Sequence, residues 1–139
     1  MVKLGHFLKG MASRRRASDA ILRLTERQPQ KATRRRVGVR GGVPYVEETV
    51  IPIADVRPGD IIVVNPGEIV PVDGTVSMGQ STVDESLLTG EPSPVLKQRD
   101  DPVWAGTKNQ DGSFHIRTEK LGADTRLSAR IRELQDSGK

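Results

Sequence analysis

Short apolar runs separated by proline- and glycine-rich turns are the feature that most constrains how this chain can fold. The β-branched runs 61–64 and 69–72 each follow a Pro-Gly turn, and Gly41-Gly42 is a two-residue hairpin signal. The 139 residues include fourteen glycines and nine prolines, a frequency that favours many short elements over long helices. Short strands at this spacing predict a mainly β body, a small distorted barrel or a jelly-roll-like sandwich.

Helical periodicity is confined to the two ends of the chain. Two apolar stripes with helical spacing lie near the start, formed by Leu4, Phe7, Leu8 and Met11 and by Ala17, Ala20, Ile21 and Leu24. Near the other end, Asp124 is the expected N-cap of a helix whose apolar face holds Leu127, Ile131 and Leu134. The predicted organisation is a basic helical leader (1–32), a β body (33–121) and a C-terminal helix (122–139).

The charge of the chain is distributed unevenly. Residues 1–40 contain 12 basic and 2 acidic residues, a balance of +10, whereas residues 41–139 contain 10 basic and 16 acidic residues, a balance of −6. Arg14, Arg15 and Arg16 lie where the two apolar stripes of the leader meet. Such a leader is expected to contact nucleic acid, phospholipid head groups or an acidic protein face.

Several classes of function are disfavoured by what the sequence lacks. Without cysteine, the chain can form neither a disulfide nor a thiolate metal site. His6 and His115 fall in different predicted elements without a second ligand at metal spacing, so no metal site is expected. Neither a Walker loop, a Rossmann glycine fingerprint nor an HExxH motif occurs, and no apolar run reaches the ~18–20 residues that span a bilayer.

The segment 84–95 is the best candidate for chemistry. Its prolines stiffen the loop, and Gly90 lets the backbone approach another surface closely. Glu91 follows that glycine and is expected to project from the tip. A carboxylate presented in this way suits a general base or a water-positioning group that acts outside its own domain, although an exposed glutamate in an ordinary turn has the same local pattern.

Three ordered blocks of the sequence resemble the actuator domain of P-type ATPases. They are RPGDIIVVNPGEIVPVDG at 57–74, VDESLLTGEPSPV at 83–95 and WAGTKNQDGSFHIRTEKLGADTRLSARI at 104–131. The resemblance covers essentially the whole chain, and it is greatest to the heavy-metal (P1B) branch and its bacterial copper exporters. The fold it implies is a small, distorted, jelly-roll-like β domain flanked by N- and C-terminal helices.

The resemblance also implies roles for individual residues. Glu91 would orient and partly deprotonate the water that hydrolyses an aspartyl phosphate on a separate domain, and Thr89 and Gly90 would shape the approach of the loop. Supporting positions would be Asp84, Glu85, Pro92, Pro71, Asp73 and Gly74. From the residues themselves, Asp73-Gly74 is expected to be a turn at the end of a strand. Pro92 stands where many of these pumps have serine.

Cofactors and partners are likewise implied by the resemblance. The intact pump would need ATP, Mg²⁺ and a transported metal, which the resemblance to copper exporters implies is Cu⁺, while this fragment would bind none of them. Its partners would be the phosphorylation and nucleotide-binding domains, the membrane surface beside Arg14, Arg15 and Arg16, and a copper chaperone. The domain would lie at the cytoplasmic face of a bacterial inner membrane. No DKTGT-like or Cys-Pro-Cys motif occurs in this chain, so it would be catalytic only together with the rest of the pump.

Two alternatives remain open at this stage. One is a β module that binds nucleic acid or lipid through its basic helix; its weakness is that the β body is acidic and the chain has four aromatic residues. The other is an actuator domain from a zinc, cadmium or cobalt pump, because nothing in the sequence would contact the transported ion.

Overall fold

The computed structural model describes residues 15–137, and these form three helices and nine strands. The helices are α1 (Arg15–Glu26), α2 (Ser86–Thr89) and α3 (Arg126–Ser137). The strands are β1 (Lys31–Arg40), β2 (Val43–Pro52), β3 (Ile61–Val64), β4 (Asp73–Gly79), β5 (Ser81–Asp84), β6 (Val95–Lys97), β7 (Pro102–Val103), β8 (Lys108–Asn109) and β9 (Phe114–Lys120). Short 3-10 turns cover Ile53–Asp55 and Gly122–Asp124.

The strands form two antiparallel sheets that share one core. The larger sheet has the order β2-β1-β3-β9-β4-β7 and the smaller one β6-β5-β8. Val83 of the smaller sheet is fully buried in the same apolar cluster as Ile62, Phe114 and Ile116 of the larger sheet. The predicted mainly β, jelly-roll-like body flanked by helices is confirmed, and within residues 15–137 the two sheets do not close into a barrel.

The first hairpin forms where the sequence predicts it. Strands β1 and β2 pair along their whole length, from Lys31 with Pro52 to Arg40 with Val43. Gly41 and Gly42 connect them with φ values of 57° and 81°. Two consecutive positive φ angles are typical of the tight turn whose twist matches paired strands, and glycine adopts them without steric cost.

Two local predictions around residue 70 are wrong. The run 69–72 makes one isolated bridge, Ile69 with Lys108, rather than a strand. Pro71 explains this, because it has no N–H to donate to a ladder. Asp73 and Gly74 are the first residues of β4 instead of a turn. A β-carbon at Gly74 would collide with the Arg117 carbonyl oxygen, so glycine permits the close approach of β4 and β9 at this point.

The helices at the two ends of the described chain pack against each other. Leu24 of α1 and Leu127 and Ile131 of α3 form a second buried cluster, and partly buried Ile21, Leu87, Leu88 and Leu134 surround it. Burial of each such side chain contributes about 2 kcal/mol. Leu87 and Leu88 belong to α2, so the candidate loop is anchored on the two end helices.

The end helices differ in detail from the prediction. Helix α3 begins at Arg126, and Thr125 caps it by accepting a hydrogen bond from the Ser128 N–H at 3.2 Å. Asp124 is therefore not the N-cap; it lies exposed at the end of a 3-10 turn. The stripe Leu4 to Met11 and Arg14 lie outside the described residues, as do the side chains of Arg15 and Arg16. Over residues 15–137, none of the helices combines the length and apolar character needed to cross a membrane.

Candidate functional site

The candidate loop lies between β5 and β6, the central strand and one edge strand of the smaller sheet. It begins with the single helical turn α2 and passes through Gly90, whose φ of 78° is left-handed. Residues 89–94 are all exposed. The loop therefore presents Thr89, Gly90 and Glu91 at an outer tip, supported by a strand at each end.

A short series of hydrogen bonds fixes the shape of this tip. The Glu85 carbonyl oxygen accepts from the N–H groups of Leu88 at 2.9 Å and Thr89 at 3.0 Å, and from the Thr89 hydroxyl at 3.1 Å. The same hydroxyl oxygen accepts a hydrogen bond from the Glu91 N–H at 3.1 Å. Thr89 thus joins the base of the loop to the backbone of Glu91.

Asp84 supports the beginning of α2. Its carboxylate accepts a hydrogen bond from the Ser86 N–H at 2.9 Å. Hydrogen bonds from the Ser86 side chain and backbone lower the pKa of Asp84, and the positive charges of Arg27 and Lys108 lower it further. Asp84 is therefore ionised at neutral pH and complements the N–H groups at the start of the turn.

The side chain of Glu91 is exposed and not engaged by the described residues of its own domain. Among the described residues, none forms a hydrogen bond or an ion pair with this side chain, and the residue is exposed. The space beside Gly90 is open as well, since a β-carbon placed there would have no neighbour within 4 Å. The tip can therefore meet another surface with its backbone and its carboxylate together.

Glu85 and Lys97 are the charged pair beneath the tip. Lys97 Nζ lies 3.0 Å from Glu85 Oε2, and the two residues are 6% and 7% exposed. The approach falls outside hydrogen-bonding angles, so the contact is an ion pair. The sequence predicts Glu85 as a supporting position but gives no signal for Lys97, since the inward orientation of one lysine in an edge strand depends on tertiary packing.

Pro71, Asp73 and Gly74 lie together at a different place. The Asp73 carboxylate is buried and accepts hydrogen bonds from the N–H groups of Ala105 and Arg126, each at 2.8 Å. Burial raises the pKa of Asp73 in spite of these two hydrogen bonds. No hydrogen bond or ion pair described for residues 15–137 links Asp73 to the loop 84–95. Asp73 instead fastens the first turn of α3 to the β body.

Arginines flank the loop on the side of the end helices. Arg23, Arg27 and Arg130 line a groove of about 410 Å³ together with Leu87 of α2. Arg27 donates a hydrogen bond to the Gly106 carbonyl at 3.1 Å. The exposed loop tip is thus anionic and its flank is cationic.

The described residues offer no obvious place for a metal ion. Across residues 15–137 there is no cluster of three or more histidine, aspartate or glutamate side chains with ligand geometry. His115 lies in β9, opposite Val63 of β3 and Met78 of β4. Burial and the nearby Arg35 lower its pKa. His6 lies outside the described residues.

Sequence comparison finds close relatives of this chain among metal pumps. A copper-transporting P-type ATPase of Rhizobium leguminosarum bv. viciae is 44% identical over 128 residues, which are 92% of this chain and 14% of that protein. A silver exporting P-type ATPase of Salmonella typhimurium is 43% identical over 99% of this chain and 16% of that protein. The chain therefore spans about one seventh of the length of the relatives it matches.

A solved structure shares the fold. It is a zinc-transporting PIB-type ATPase in the E2.Pi state, with a TM-score of 0.71 and 28% sequence identity over 84% of this chain and 18% of that chain. The P-type ATPase actuator domain family matches residues 26–135, which contain both sheets, the exposed loop and most of α3. The chain therefore belongs to the family of P-type ATPase actuator domains.

Proposed function

We propose that this actuator domain belongs to a metal-transporting P-type ATPase and that its Thr89-Gly90-Glu91 tip dephosphorylates the aspartyl-phosphate intermediate of that pump. The observation that carries the proposal is the exposed Glu91 carboxylate, which no described residue engages, on a tip whose backbone is fixed by hydrogen bonds. Family membership favours this proposal over the β module that binds nucleic acid or lipid through a basic helix.

The chemistry of hydrolysis fits such a tip. An acyl phosphate is hydrolysed when a water molecule is held in line with the bond that breaks, and a carboxylate can both aim the water and accept its proton. Glu91 would take this role, while Gly90 leaves room for the phosphoryl group. Because the tip approaches only when the domains close, the phosphoenzyme is protected from water until that moment.

The domain would work with other parts of the same pump. The phosphorylation and nucleotide-binding domains would supply the aspartate, ATP and Mg²⁺, and none of these is bound by this chain. Helices α1 and α3 pack on each other and on Leu87 and Leu88, so rotation of the loop would move both end helices. The leader 1–32 and the segment 122–139 would carry this movement to the membrane, with Arg14, Arg15 and Arg16 at the head groups of the cytoplasmic leaflet of a bacterial inner membrane.

Copper is the proposed cargo. The support comes from the names of the relatives, which include copper-transporting pumps at 44% identity. A silver exporter is nearly as similar, and the solved structures transport zinc. The transported ion would bind elsewhere in the pump, and an acidic copper chaperone could dock on the basic leader.

The direct test is the decay of the phosphoenzyme in the intact pump that contains this domain. Glu91→Gln keeps the size and exposure of the side chain but removes its basicity, so decay should slow by about 100-fold or more. Glu119→Gln is the matched control, because this exposed carboxylate lies on β9 and can still accept the Thr75 hydroxyl hydrogen bond as an amide. Normal decay in Glu91→Gln would refute the proposed role.

A further inference from the structure

Two buried charges hold the base of the loop. Glu85 is the residue before α2, where the chain enters the loop, and Lys97 is the last residue of β6, the strand that follows the loop. Their ion pair therefore ties the entrance of the loop to the strand beyond its exit. Their side chains are 9% and 8% exposed. Taking two charges out of water is costly, and the attraction between them often fails to repay that cost. A buried ion pair is therefore not expected to stabilise the domain more than two apolar side chains would.

The pair is directly connected to the tip. The backbone carbonyl of Glu85 accepts the Thr89 hydroxyl, and the Thr89 hydroxyl accepts the Glu91 N–H. If Glu85 moved, these two hydrogen bonds would shift the backbone of Glu91 as well. Lys97 sits on a paired strand, opposite Ser81 of β5, which gives the ion pair a rigid support.

We propose that Glu85 and Lys97 are positioning residues, which set the place of Glu91 for dephosphorylation rather than stabilise the fold. The inference rests on the proposed function of Glu91. Two apolar side chains of similar size could fill the same space. Apolar contacts are not directional, however, so they would fix the position of residue 85 less tightly than its ion pair with Lys97 does. Displacing a reacting group by about 1 Å can slow a reaction on the order of 100-fold.

The test compares one single and one double variant in the intact pump. Lys97→Met leaves the Glu85 charge buried without a partner, so both the melting temperature and the rate of phosphoenzyme decay should fall. The double variant Glu85→Leu/Lys97→Met replaces the pair by apolar side chains, which should restore the melting temperature. Its phosphoenzyme should still decay on the order of 10-fold more slowly than the wild type, because the ion pair that positions Glu91 is absent.

Breaking an exposed ion pair provides the control. Arg35 and Glu48 form a 2.9 Å pair on the hairpin of β1 and β2, with side chains 28% and 43% exposed. Arg35→Met should leave the decay rate within about 2-fold of the wild type, since exposed pairs contribute little.

Each outcome decides the question. A double variant that folds and dephosphorylates at the normal rate would overturn the positioning role, and so would one that cannot fold, because the pair would then serve the fold itself. Lys97→Arg, which keeps the charge, should recover more of the rate than Lys97→Met. Glu91→Gln measured in the same preparation separates the two proposals: slow decay there with a normal double variant rejects only the role of the ion pair.

Discussion

At the scale of single residues, the hydroxyl of Thr89 is the smallest group on which the candidate site depends. It donates to the Glu85 carbonyl and accepts from the Glu91 N–H, both at 3.1 Å. Because this oxygen bridges two backbone groups, the hydroxyl helps to fix the backbone conformation between Glu85 and Glu91. A neutral hydrogen bond of this kind contributes about 1 kcal/mol, which is enough to hold one backbone conformation over another.

Removing this hydroxyl should therefore affect the reaction more than the fold. Thr89→Val keeps the branched shape but loses both hydrogen bonds, and we expect phosphoenzyme decay in the intact pump to slow by about 10-fold. Thr89→Ser keeps the hydroxyl and should stay within about 2-fold of the wild type. Equal rates in the two variants would show that the hydroxyl does not position Glu91.

At the scale of elements, Asp73 is the link between the β body and α3. Its carboxylate holds the N–H of Ala105, in the connection between β7 and β8, and the N–H of Arg126, the first residue of α3. The Arg126 guanidinium in turn lies 5.0 Å from the centre of the Trp104 ring. One buried acceptor thus joins strand, loop and helix, and complements the positive end of the helix.

Asp73→Asn tests this link. An amide offers one oxygen where the carboxylate offers two, and its NH₂ group would face a backbone donor. The free energy of unfolding of the 139-residue chain should fall by about 1–3 kcal/mol in urea titrations. Asp124→Asn is the matched control, because Asp124 is exposed; its effect should stay within about 0.5 kcal/mol. Equal losses at the two positions would contradict the role of Asp73.

How far the sequence predicts these elements depends on how local their causes are. The hairpin at Gly41-Gly42 and the exposed tip at Gly90 follow from backbone preferences of glycine and proline, so they can be predicted. The partners of Asp73 cannot, because Ala105 and Arg126 lie 32 and 53 residues away along the chain. The inward orientation of Lys97 and the capping of α3 by Thr125 rather than Asp124 likewise depend on tertiary packing.

At the scale of the whole molecule, the stability of the fold should depend on the charges of the larger sheet. His115 lies in β9; burial and the positive charge of Arg35 lower its pKa, whereas the negative charge of Glu48 raises it. These three side chains come from different strands of the same sheet, β9, β1 and β2. A proton on His115 therefore adds a positive charge to a surface where Arg35 is already present.

The pKa of His115 predicts how this stability changes with pH. Burial and Arg35 lower the folded pKa below the ordinary value of 6.5, so the unfolded chain binds the proton more tightly. Stability contributed by neutral His115 is fully present above pH 6.5 and is lost as the pH falls through the folded pKa. Comparing His115→Gln with the wild type by urea unfolding between about pH 5 and 8 isolates this contribution, since His6 is present in both proteins. The wild type should lose more stability than His115→Gln at acid pH, and solvent screening should limit this difference in the free energy of unfolding to about 0.5 kcal/mol. Parallel pH profiles of the two proteins would contradict a contribution from His115.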